Sequence, residues 1–183
     1  MFTHTQKWSL VLTVLASGIV FIDGSALNII LPTIQKDLNV NGTDLLWIVN
    51  GYALFVAALL LIGGALGDAY GRNKVFLIGL VIFSLASLFC GISQNAVQLI
   101  TARCIQGFGG ALLIPGSLSI LSAQFSNRNR GVAIGIWATC SAVTTIIGPV
   151  LGGGLAGMGL WRFVFFVNIP VSIFFYFHKI KNS

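Results

Sequence analysis

Long uninterrupted apolar runs alternate along the chain with short polar segments. The runs occupy residues 8–31, 45–66, 75–92, 97–121, 132–158 and 161–177. Each run is close to the roughly 20 residues that an α-helix needs to cross the hydrocarbon core of a bilayer. The runs are continuously apolar and lack the strict alternation of a membrane β-barrel strand. The pattern therefore predicts six transmembrane helices.

The composition supports the same class of protein. Of the 183 residues, 56% are hydrophobic and 8% are charged, whereas about a quarter of the residues of a soluble domain are charged. Six spans leave about 60 residues for loops and ends, which is too few for a soluble module. We therefore expect a single transmembrane domain over residues 1–183. No nucleophile, base and orienting residue occur together, so an enzyme is not expected.

Basic residues between the runs indicate the orientation of the chain in the membrane. If the N-terminus lies inside, the outer segments hold only Lys36 and Arg162. The inner segments hold Lys7, Arg72, Lys74, Arg128, Arg130, Lys179 and Lys181. Because cytoplasmic loops are enriched in Lys and Arg, we expect a multi-pass protein of a plasma or inner membrane with both termini in the cytoplasm. The basic residues form no patch of the kind that binds nucleic acid.

Candidate metal ligands are sparse. Cys90, Cys104 and Cys140 lie in apolar runs far apart in the sequence, and His4 and His178 lie near the two ends. A metal site needs several such ligands at close spacing. Neither a metal nor another cofactor is therefore expected.

The segment before the second span carries a local polar pattern. Asn41-Gly-Thr43 has the sequence of a glycosylation site on an outer loop. A plain loop is the favoured interpretation, because Thr43 or Asp44 is well placed to cap the second helix.

Two charged residues lie inside the predicted spans at similar depth. Asp23 precedes the outer end of the first run at position 31, and Arg103 follows the outer end of the fourth at position 97. These positions correspond to depths of roughly 12 Å and 9 Å at 1.5 Å per residue. Each charge alone is costly in hydrocarbon, so we expect the two to face the bundle interior and to pair, directly or through water. Both a static ion pair and a titratable pair on a transport path fit this placement.

Glycines four residues apart recur inside the runs. The pairs are Gly63 with Gly67, Gly131 with Gly135, Gly148 with Gly152, and Gly153 with Gly157. Such spacing lets helices approach closely in lipid. We expect tight packing within one bundle rather than a dedicated dimer interface. The same positions are candidate bending points.

Four motifs combine glycine with isolated polar residues. One motif, residues 64–74 (GALGDAYGRNK), joins spans two and three and places an acid and basic residues at two helix ends. A second, residues 99–111 (LITARCIQGFGGA), surrounds Arg103 in span four.

The other two motifs lie in spans one, two and five. They are residues 23–32 (DGSALNIILP) with 47–52 (WIVNGY), and Gly135 with residues 148–153 (GPVLGG). Together the four motifs resemble those of the major facilitator superfamily, in particular its drug:proton antiporters of the fourteen-span type. Residues 161–170, which include Trp161-Arg162 and Asn168-Ile-Pro170, extend the resemblance into span six.

The resemblance implies roles for particular residues. Proton coupling would involve Asp23 and Arg103. The substrate cavity would be lined by Asn28, Asn50, Tyr52 and Gln106. A conformational gate would comprise Gly64, Gly67, Asp68, Gly71, Arg72 and Lys74. The antiporter motif that kinks and packs the fifth helix would comprise Gly135, Gly148, Pro149, Gly152 and Gly153.

Three positions depart from the family pattern. Ala69 and Asn73 stand where family members usually have basic residues, and Thr144 stands where they usually have glycine. The gate is therefore expected to lack two charges, and the fifth helix one bending point.

The resemblance also implies the fold. Transporters of this family have two six-helix halves around a central cavity, and the chain is similar to the N-terminal half over nearly its whole length. We expect an all-α membrane protein whose six transmembrane helices form the N-terminal half-bundle, a 3+3 repeat, of a major facilitator fold, with the second half absent.

Three functions are compatible with these features. The first is proton-coupled export of small hydrophobic or cationic drugs, including antibiotics, by alternating access, with a small-molecule substrate, protons and the lipid bilayer as partners. The second is a truncated or assembly fragment that transports nothing and docks on a second transporter half or on a copy of itself. The third is a metabolite transporter of the same superfamily, which is weaker because the Gly148-Pro149 motif belongs mainly to antiporters.

The charge distribution predicts that a thiol reagent added outside intact cells modifies Gly42→Cys and not Asn129→Cys. Position 42 lies in an outer loop and position 129 in an inner one under the assigned orientation. Labelling is measured before and after permeabilisation, and the unsubstituted chain serves as the control for Cys90, Cys104 and Cys140. Labelling of position 129 from outside would reverse the orientation.

Overall fold

The computed structural model describes residues 2–181, and the elements in that range are helices. Five of them are long and apolar enough to cross a membrane. They are α1 (His4–Leu38), α2 (Gly42–Tyr70), α3 (Arg72–Ile92), α4 (Ala96–Gln124) and α5 (Asn127–Gly157). Two shorter helices, α6 (Phe163–Phe166) and α7 (Asn168–Lys181), follow. The prediction of an all-α membrane fold is confirmed.

The sixth apolar run differs from its prediction as one helix over 161–177. It is interrupted at Val167, between the end of α6 at Phe166 and the start of α7 at Asn168. Pro170 explains the position of the break, because its ring clashes with the carbonyl four residues earlier, which belongs to Phe166. Proline is accepted in the first turn of α7, where its missing N–H leaves no bond unmade.

Polar caps define where several helices begin. Thr3 caps α1, since its Oγ1 accepts from the Gln6 backbone N–H at 3.3 Å, and the Gln6 side chain accepts from the Thr3 N–H at 3.0 Å. Asn41 caps α2 and exchanges the same two bonds with Asp44. The expectation that Thr43 or Asp44 is the cap is therefore wrong in position, because Asp44 is the third helical residue and supports the cap from there.

A single residue connects α2 to α3. Gly71 lies between Tyr70 and Arg72 and has φ of 96°. Residues with a side chain rarely adopt this conformation, whereas glycine adopts it without steric cost. The glycine thus lets the chain reverse direction in one residue between the two helices.

The helices pack around α1 and α4. The most extensive contacts join α4 to α2, α4 to α3, and α1 to α5, and α1 also contacts α4 directly. The apolar stretches of α1 and α4 are mostly buried, whereas those of α2 and α5 are mostly exposed. Side chains on α1 and α4 that point into the bundle are therefore the ones removed from lipid and water.

Glycines on α5 bring that helix against α1. A Cβ at Gly148 would lie 2.8 Å from the carbonyl oxygen of Ile22, and one at Gly152 would lie 2.8 Å from that of Ala26. Similar close approaches occur on α4, where a Cβ at Gly107 would lie 2.5 Å from the Tyr52 carbonyl oxygen. These glycines allow backbone-to-backbone packing that no larger residue permits.

On α2, Gly63 behaves in the same way, since a Cβ there would lie 2.3 Å from the Ala111 carbonyl oxygen, whereas the predicted pairs Gly131 with Gly135 and Gly153 with Gly157 do not. Gly131, Gly135 and Gly157 have open space where a Cβ would lie, and a Cβ at Gly153 would make only an ordinary contact at 3.6 Å with Ile29. Within residues 2–181, the expectation of close packing therefore holds for Gly148 and Gly152 on α5 and not for these four.

We predict that Gly152→Val lowers thermal stability more than Gly154→Val. Position 152 lies against Ala26 of α1, whereas open space surrounds position 154. Overpacking of this kind typically costs about 1–3 kcal/mol. Both variants lose one helical glycine and gain the same side chain, so the effect of helix propensity is matched. The measurement is thermal unfolding of the purified chain in detergent, and equal midpoints would contradict close packing there.

Candidate functional site

A buried ion pair lies at the centre of the bundle. Asp23 on α1 and Arg103 on α4 are each 0% exposed, and an Arg103 Nη1 hydrogen donates to Asp23 Oδ2. An isolated charge in this apolar setting carries a large desolvation penalty, which the opposite charge offsets. The structure thus brings together the two residues that their matching depth suggested.

Neutral amide and hydroxyl groups complete the surroundings of the acid. Gln106 Nε2 donates to Asp23 Oδ1 at 2.9 Å and to Ser87 Oγ at 2.7 Å. Asn168 Nδ2 donates to the same two oxygens, at 3.2 Å and 3.0 Å. Gln106, Ser87 and Asn168 are fully buried. They lie on α4, on α3 and at the first position of α7, respectively. The carboxylate therefore receives hydrogen bonds from groups on two helices besides the ion pair.

The guanidinium is also covered on its faces and edges. Its carbon lies 4.1 Å from the centre of the Tyr52 ring and 5.9 Å from that of Phe165. Arg103 Nη1 donates to Gln106 Oε1 at 2.7 Å, and Arg103 Nε donates to the Ile48 carbonyl oxygen at 3.4 Å. Cation–π contacts of this kind strengthen when water is excluded. The cation is thus held by groups from α2 and α4 in addition to Asp23.

An open apolar depression adjoins this cluster. It has a volume of about 580 Å³ and is lined by α1, α2, α4 and α5. Its lining residues are Val20, Phe21, Gly24, Ser25, Tyr52, Ala53, Val56, Ala57, Leu60, Ile114 and Thr145. The Tyr52 side chain lines this depression, and its ring also contacts the Arg103 guanidinium. One aromatic ring therefore separates the depression from the buried ion pair.

The four residues expected to line a substrate cavity occupy three different environments. Tyr52 lines the depression, whereas Gln106 is fully buried in the ion-pair cluster and does not reach the surface. Asn28 and Asn50 are exposed, and neither is part of the lining of the depression. The amide of Gln106 bonds Asp23 and Ser87 in this conformation, and its role in a substrate cavity stays a prediction.

The residues of the expected gate lie where α2 ends and α3 begins. Arg72 Nη2 is 3.1 Å from Asp68 Oδ1, and Arg72 Nη1 donates to the Ser119 carbonyl oxygen of α4 at 3.1 Å. Lys74 is exposed. Gly71 forms the turn described above, while Cβ atoms at Gly64 and Gly67 would make only ordinary contacts. Arg72 therefore links the turn to α4, and its action as a gate stays a prediction.

A second cluster ties the helices at the end of the bundle opposite to Gly71. Arg162 donates to Asp37 Oδ2 and, at 2.9 Å, to the Ser93 carbonyl oxygen, while Trp161 Nε1 donates to Asp37 Oδ2 at 3.1 Å. The cluster joins the end of α1, the α3–α4 connection and the segment before α6. We call Asp37, Ser93, Trp161 and Arg162 the Arg162 tie.

The acid of the Arg162 tie lies beyond the end of the first apolar run at residue 31. A 35-residue helix such as α1 is about 52 Å long, whereas the hydrocarbon core is about 30 Å thick. The hydrogen bonds from Arg162 and Trp161 hold the pKa of Asp37 below its ordinary value. The carboxylate therefore keeps its bonds until the pH falls through that lowered value.

Sequence reasoning missed Ser87 and Asn168 as members of the ion-pair cluster. Asn168 had a usable signal, since an amide inside an apolar run is costly unless it finds a partner. Ser87 had none, because a serine in a helix commonly satisfies its hydroxyl on its own backbone, as Ser84 does at 2.6 Å from the Leu80 carbonyl oxygen. Only the packing of α3 against α4 gives it a role.

This arrangement of apolar helices around a buried acid and guanidinium defines an integral membrane protein of the transporter class. The model of the Major Facilitator Superfamily matches residues 13–180. The chain therefore belongs to the major facilitator superfamily, which is a family of membrane transporters and not of enzymes.

Two curated relatives illustrate the range of functions in the family. A methylenomycin A resistance protein of Bacillus subtilis (strain 168) is 37% identical over 165 residues, which cover 88% of this chain and 35% of the relative. The riboflavin transporter RibZ of Clostridioides difficile (strain 630) is 37% identical over 178 residues, covering 96% of this chain and 39% of RibZ. The chain thus spans well under half the length of these relatives.

A solved structure has the same helix arrangement. It is a bacterial homologue of the human lysosomal transporter Spinster, in an inward-facing and occupied conformation, with a TM-score of 0.80 and 20% sequence identity. The match covers 97% of this chain and 45% of that one. The prediction that the chain has the fold of a transporter half is confirmed.

We predict that Gln106→Leu destabilises the chain more than Gln98→Leu. The buried amide donates to Asp23 and Ser87, whereas Gln98 is exposed in the first turn of the same helix. Removing one partner of a buried hydrogen bond typically costs about 1–3 kcal/mol. Thermal unfolding in detergent measures both variants, and a Gln106→Leu midpoint no lower than that of Gln98→Leu would show that the amide is dispensable.

Proposed function

We propose that the chain forms the N-terminal half of a proton-coupled exporter of small hydrophobic or cationic drugs, including antibiotics, that works by alternating access. The observation that carries this proposal is the buried Asp23–Arg103 pair, which one ring, that of Tyr52, separates from an open apolar depression. Ionisable residues in the middle of a membrane bundle are costly and are typically kept for transport. Asp23 is the proposed proton carrier.

The proposed coupling follows from the charge balance of the pair. When Asp23 is a carboxylate, its attraction to Arg103 is strong because water is excluded from both side chains. A bound proton removes that attraction and leaves the guanidinium with neutral partners. A conformation that wets the cluster or separates the pair therefore has a different proton affinity, and by linkage protonation shifts the balance of conformations.

The chemistry of the depression supports the proposed substrate class. Its described lining is almost entirely apolar, with the aromatic rings of Phe21 and Tyr52 and no charged side chain. Such a surface favours the hydrophobic part of a small molecule. A cationic substrate would find its nearest acid in Asp23, behind the Tyr52 ring. The methylenomycin A resistance relative agrees with a drug as the substrate.

The proposed gate is the Asp68–Arg72 pair at the inner end. Its bonds to each other and to the Ser119 carbonyl oxygen connect α2, α3 and α4 in the conformation described. Breaking them would free the inner ends of these helices to move. Exposed ion pairs contribute less than about 1 kcal/mol each, so the gate is expected to be easily opened.

The proposed setting is a plasma or inner membrane with both termini in the cytoplasm. The proposed partners are a small-molecule substrate, protons, the bilayer and a second half of the kind found in the longer relatives. The exposed apolar faces of α2 and α5 support such a partner.

Transport of a metabolite is the second candidate function. The similarity to the riboflavin transporter RibZ, which covers 96% of this chain, favours it. A flat aromatic molecule with polar edges would also fit an apolar depression bordered by Tyr52 and Thr145. Competition between a labelled drug and riboflavin for binding to the chain distinguishes the two candidates.

Transport itself is tested by reconstitution. The chain alone, and a fusion of the chain to the remaining part of its Bacillus subtilis relative, are placed in proteoliposomes with an imposed proton gradient. Drug export by the fusion and not by the chain alone would identify the chain as a half that needs a partner. The absence of export from both would favour a non-transporting assembly fragment.

We predict that Asp23→Asn abolishes proton-driven export by the active form while drug binding is less affected. The substitution keeps the size of the side chain and removes the proposed proton carrier. Asp44→Asn, which changes a carboxylate in the exposed first turn of α2, is the matched control. Unaltered export by Asp23→Asn against a gradient, with unchanged pH dependence, would make the acid structural.

We further predict that Arg103→Ala shifts the pH profile of export to higher pH. Loss of the cation removes the interaction that favours the carboxylate form of its partner. Arg103→Lys should be intermediate, because it keeps a charge and loses the planar fork that bonds two oxygens at once. Export rates measured across a pH series test this order of the unsubstituted protein, Arg103→Lys and Arg103→Ala. Identical profiles for Arg103→Ala and the unsubstituted protein would contradict the prediction.

A further inference from the structure

Every polar group that reaches the Asp23 carboxylate in the described part of the chain is a donor. Arg103 donates to Oδ2, and Gln106 and Asn168 both donate to Oδ1. This arrangement suits a carboxylate, which only accepts hydrogen bonds. A protonated Asp23 would place its new O–H among donors, so the cluster must rearrange when the proton binds.

The cluster contains two amides whose oxygen could accept that O–H. Gln106 Oε1 is already occupied, since it accepts from Arg103 Nη1 at 2.7 Å and from Cys90 Sγ at 3.6 Å. Asn168 Oδ1 is buried and has no partner among the described residues. Ser87 Oγ already receives both amides. The unused acceptor therefore belongs to Asn168.

A rotation of the Asn168 amide about its Cβ–Cγ bond exchanges Oδ1 with Nδ2. The oxygen would then occupy the place of the nitrogen, 3.2 Å from Asp23 Oδ1 and 3.0 Å from Ser87 Oγ. There it can accept from the acid O–H and from the Ser87 hydroxyl, while Nδ2 takes the buried place of the oxygen, which has no partner among the described residues. The proton ends on Asp23 Oδ1, the charge of the acid falls from −1 to zero, and no covalent bond other than the new O–H changes.

We propose that Asn168 is a positioning residue whose side-chain amide turns over when Asp23 takes up a proton, so that it stabilises each protonation state in turn. The inference rests on the proton coupling proposed above. It adds the residue that responds to the protonation of Asp23. Because Asn168 is the first residue of α7, after the break at Val167, the turnover changes a direct hydrogen bond between α7 and α1.

Other groups around the acid do not offer this response. The titratable or charged side chains that interact with Asp23 are Arg103 from α4, Tyr52 from α2 and Cys90 from α3. The Tyr52 hydroxyl donates to the Val20 carbonyl oxygen at 3.4 Å, and thiols are weak partners. Among the described side chains, α5, α6 and α7 bring no charge to the cluster.

The test is infrared spectroscopy of the reconstituted chain during a pH titration. The carbonyl band of a protonated carboxylic acid is assigned to Asp23 by its loss in Asp23→Asn. In Asn168→Leu, which keeps the size of the side chain and removes its donor and acceptor, the band is expected at higher wavenumber because the acid O–H has lost its acceptor. Ser87→Ala is the matched control, and the band position should not move in that variant.

A second measurement needs no change at Asn168. In a chain with ¹³C-labelled asparagine, the pH-induced difference spectrum should contain an amide carbonyl shift that vanishes in both Asp23→Asn and Asn168→Leu. An acid band that stays at the same wavenumber in Asn168→Leu, without an asparagine signal, would overturn the proposal while leaving Asp23 as a proton carrier. The absence of any Asp23 band over the titration would refute proton coupling at this acid and the amide turnover with it.

Discussion

The attraction between Asp23 and Arg103 is the interaction on which the rest of the bundle depends. Both charges are removed from lipid and water, and each offsets part of the desolvation penalty of the other. The surrounding elements then have to supply the remaining donors and acceptors. Gln106, Ser87 and Asn168 do so from α4, α3 and α7, and Tyr52 covers the guanidinium from α2.

Close packing allows this polar centre to exist inside an apolar bundle. Glycines at 107 on α4 and at 148 and 152 on α5 let backbones meet where side chains would hold them apart. Gly148 lies against the turn of α1 that carries Asp23. The small residues and the buried charges are therefore parts of one arrangement, since the glycines set the helix separations at which short polar side chains reach one another.

Much of this arrangement could be predicted from the sequence. The helices follow from hydropathy, and the pairing of Asp23 with Arg103 follows from depth, because a charge in hydrocarbon requires a partner. The break at Val167 could have been predicted from Pro170 and was not. The bonds of Gln106 to Asp23 and Ser87 could not be predicted, since spacing along a helix tells which face a residue shares and not which neighbour it finds. Ser87 becomes visible only when α3 and α4 are packed together.

The Arg162 tie bears on how such a half would move. Arg162 is bonded to Asp37 and Ser93, which belong to separate stretches of the chain, and its carbon stacks 4.4 Å from the centre of the Trp161 ring. Three helix ends are thus clamped to one side chain, so bending of a single helix at that end would have to break several bonds at once. If the half moves as proposed above, these shared hydrogen bonds favour a joint tilt of the three connected ends over the bending of one of them.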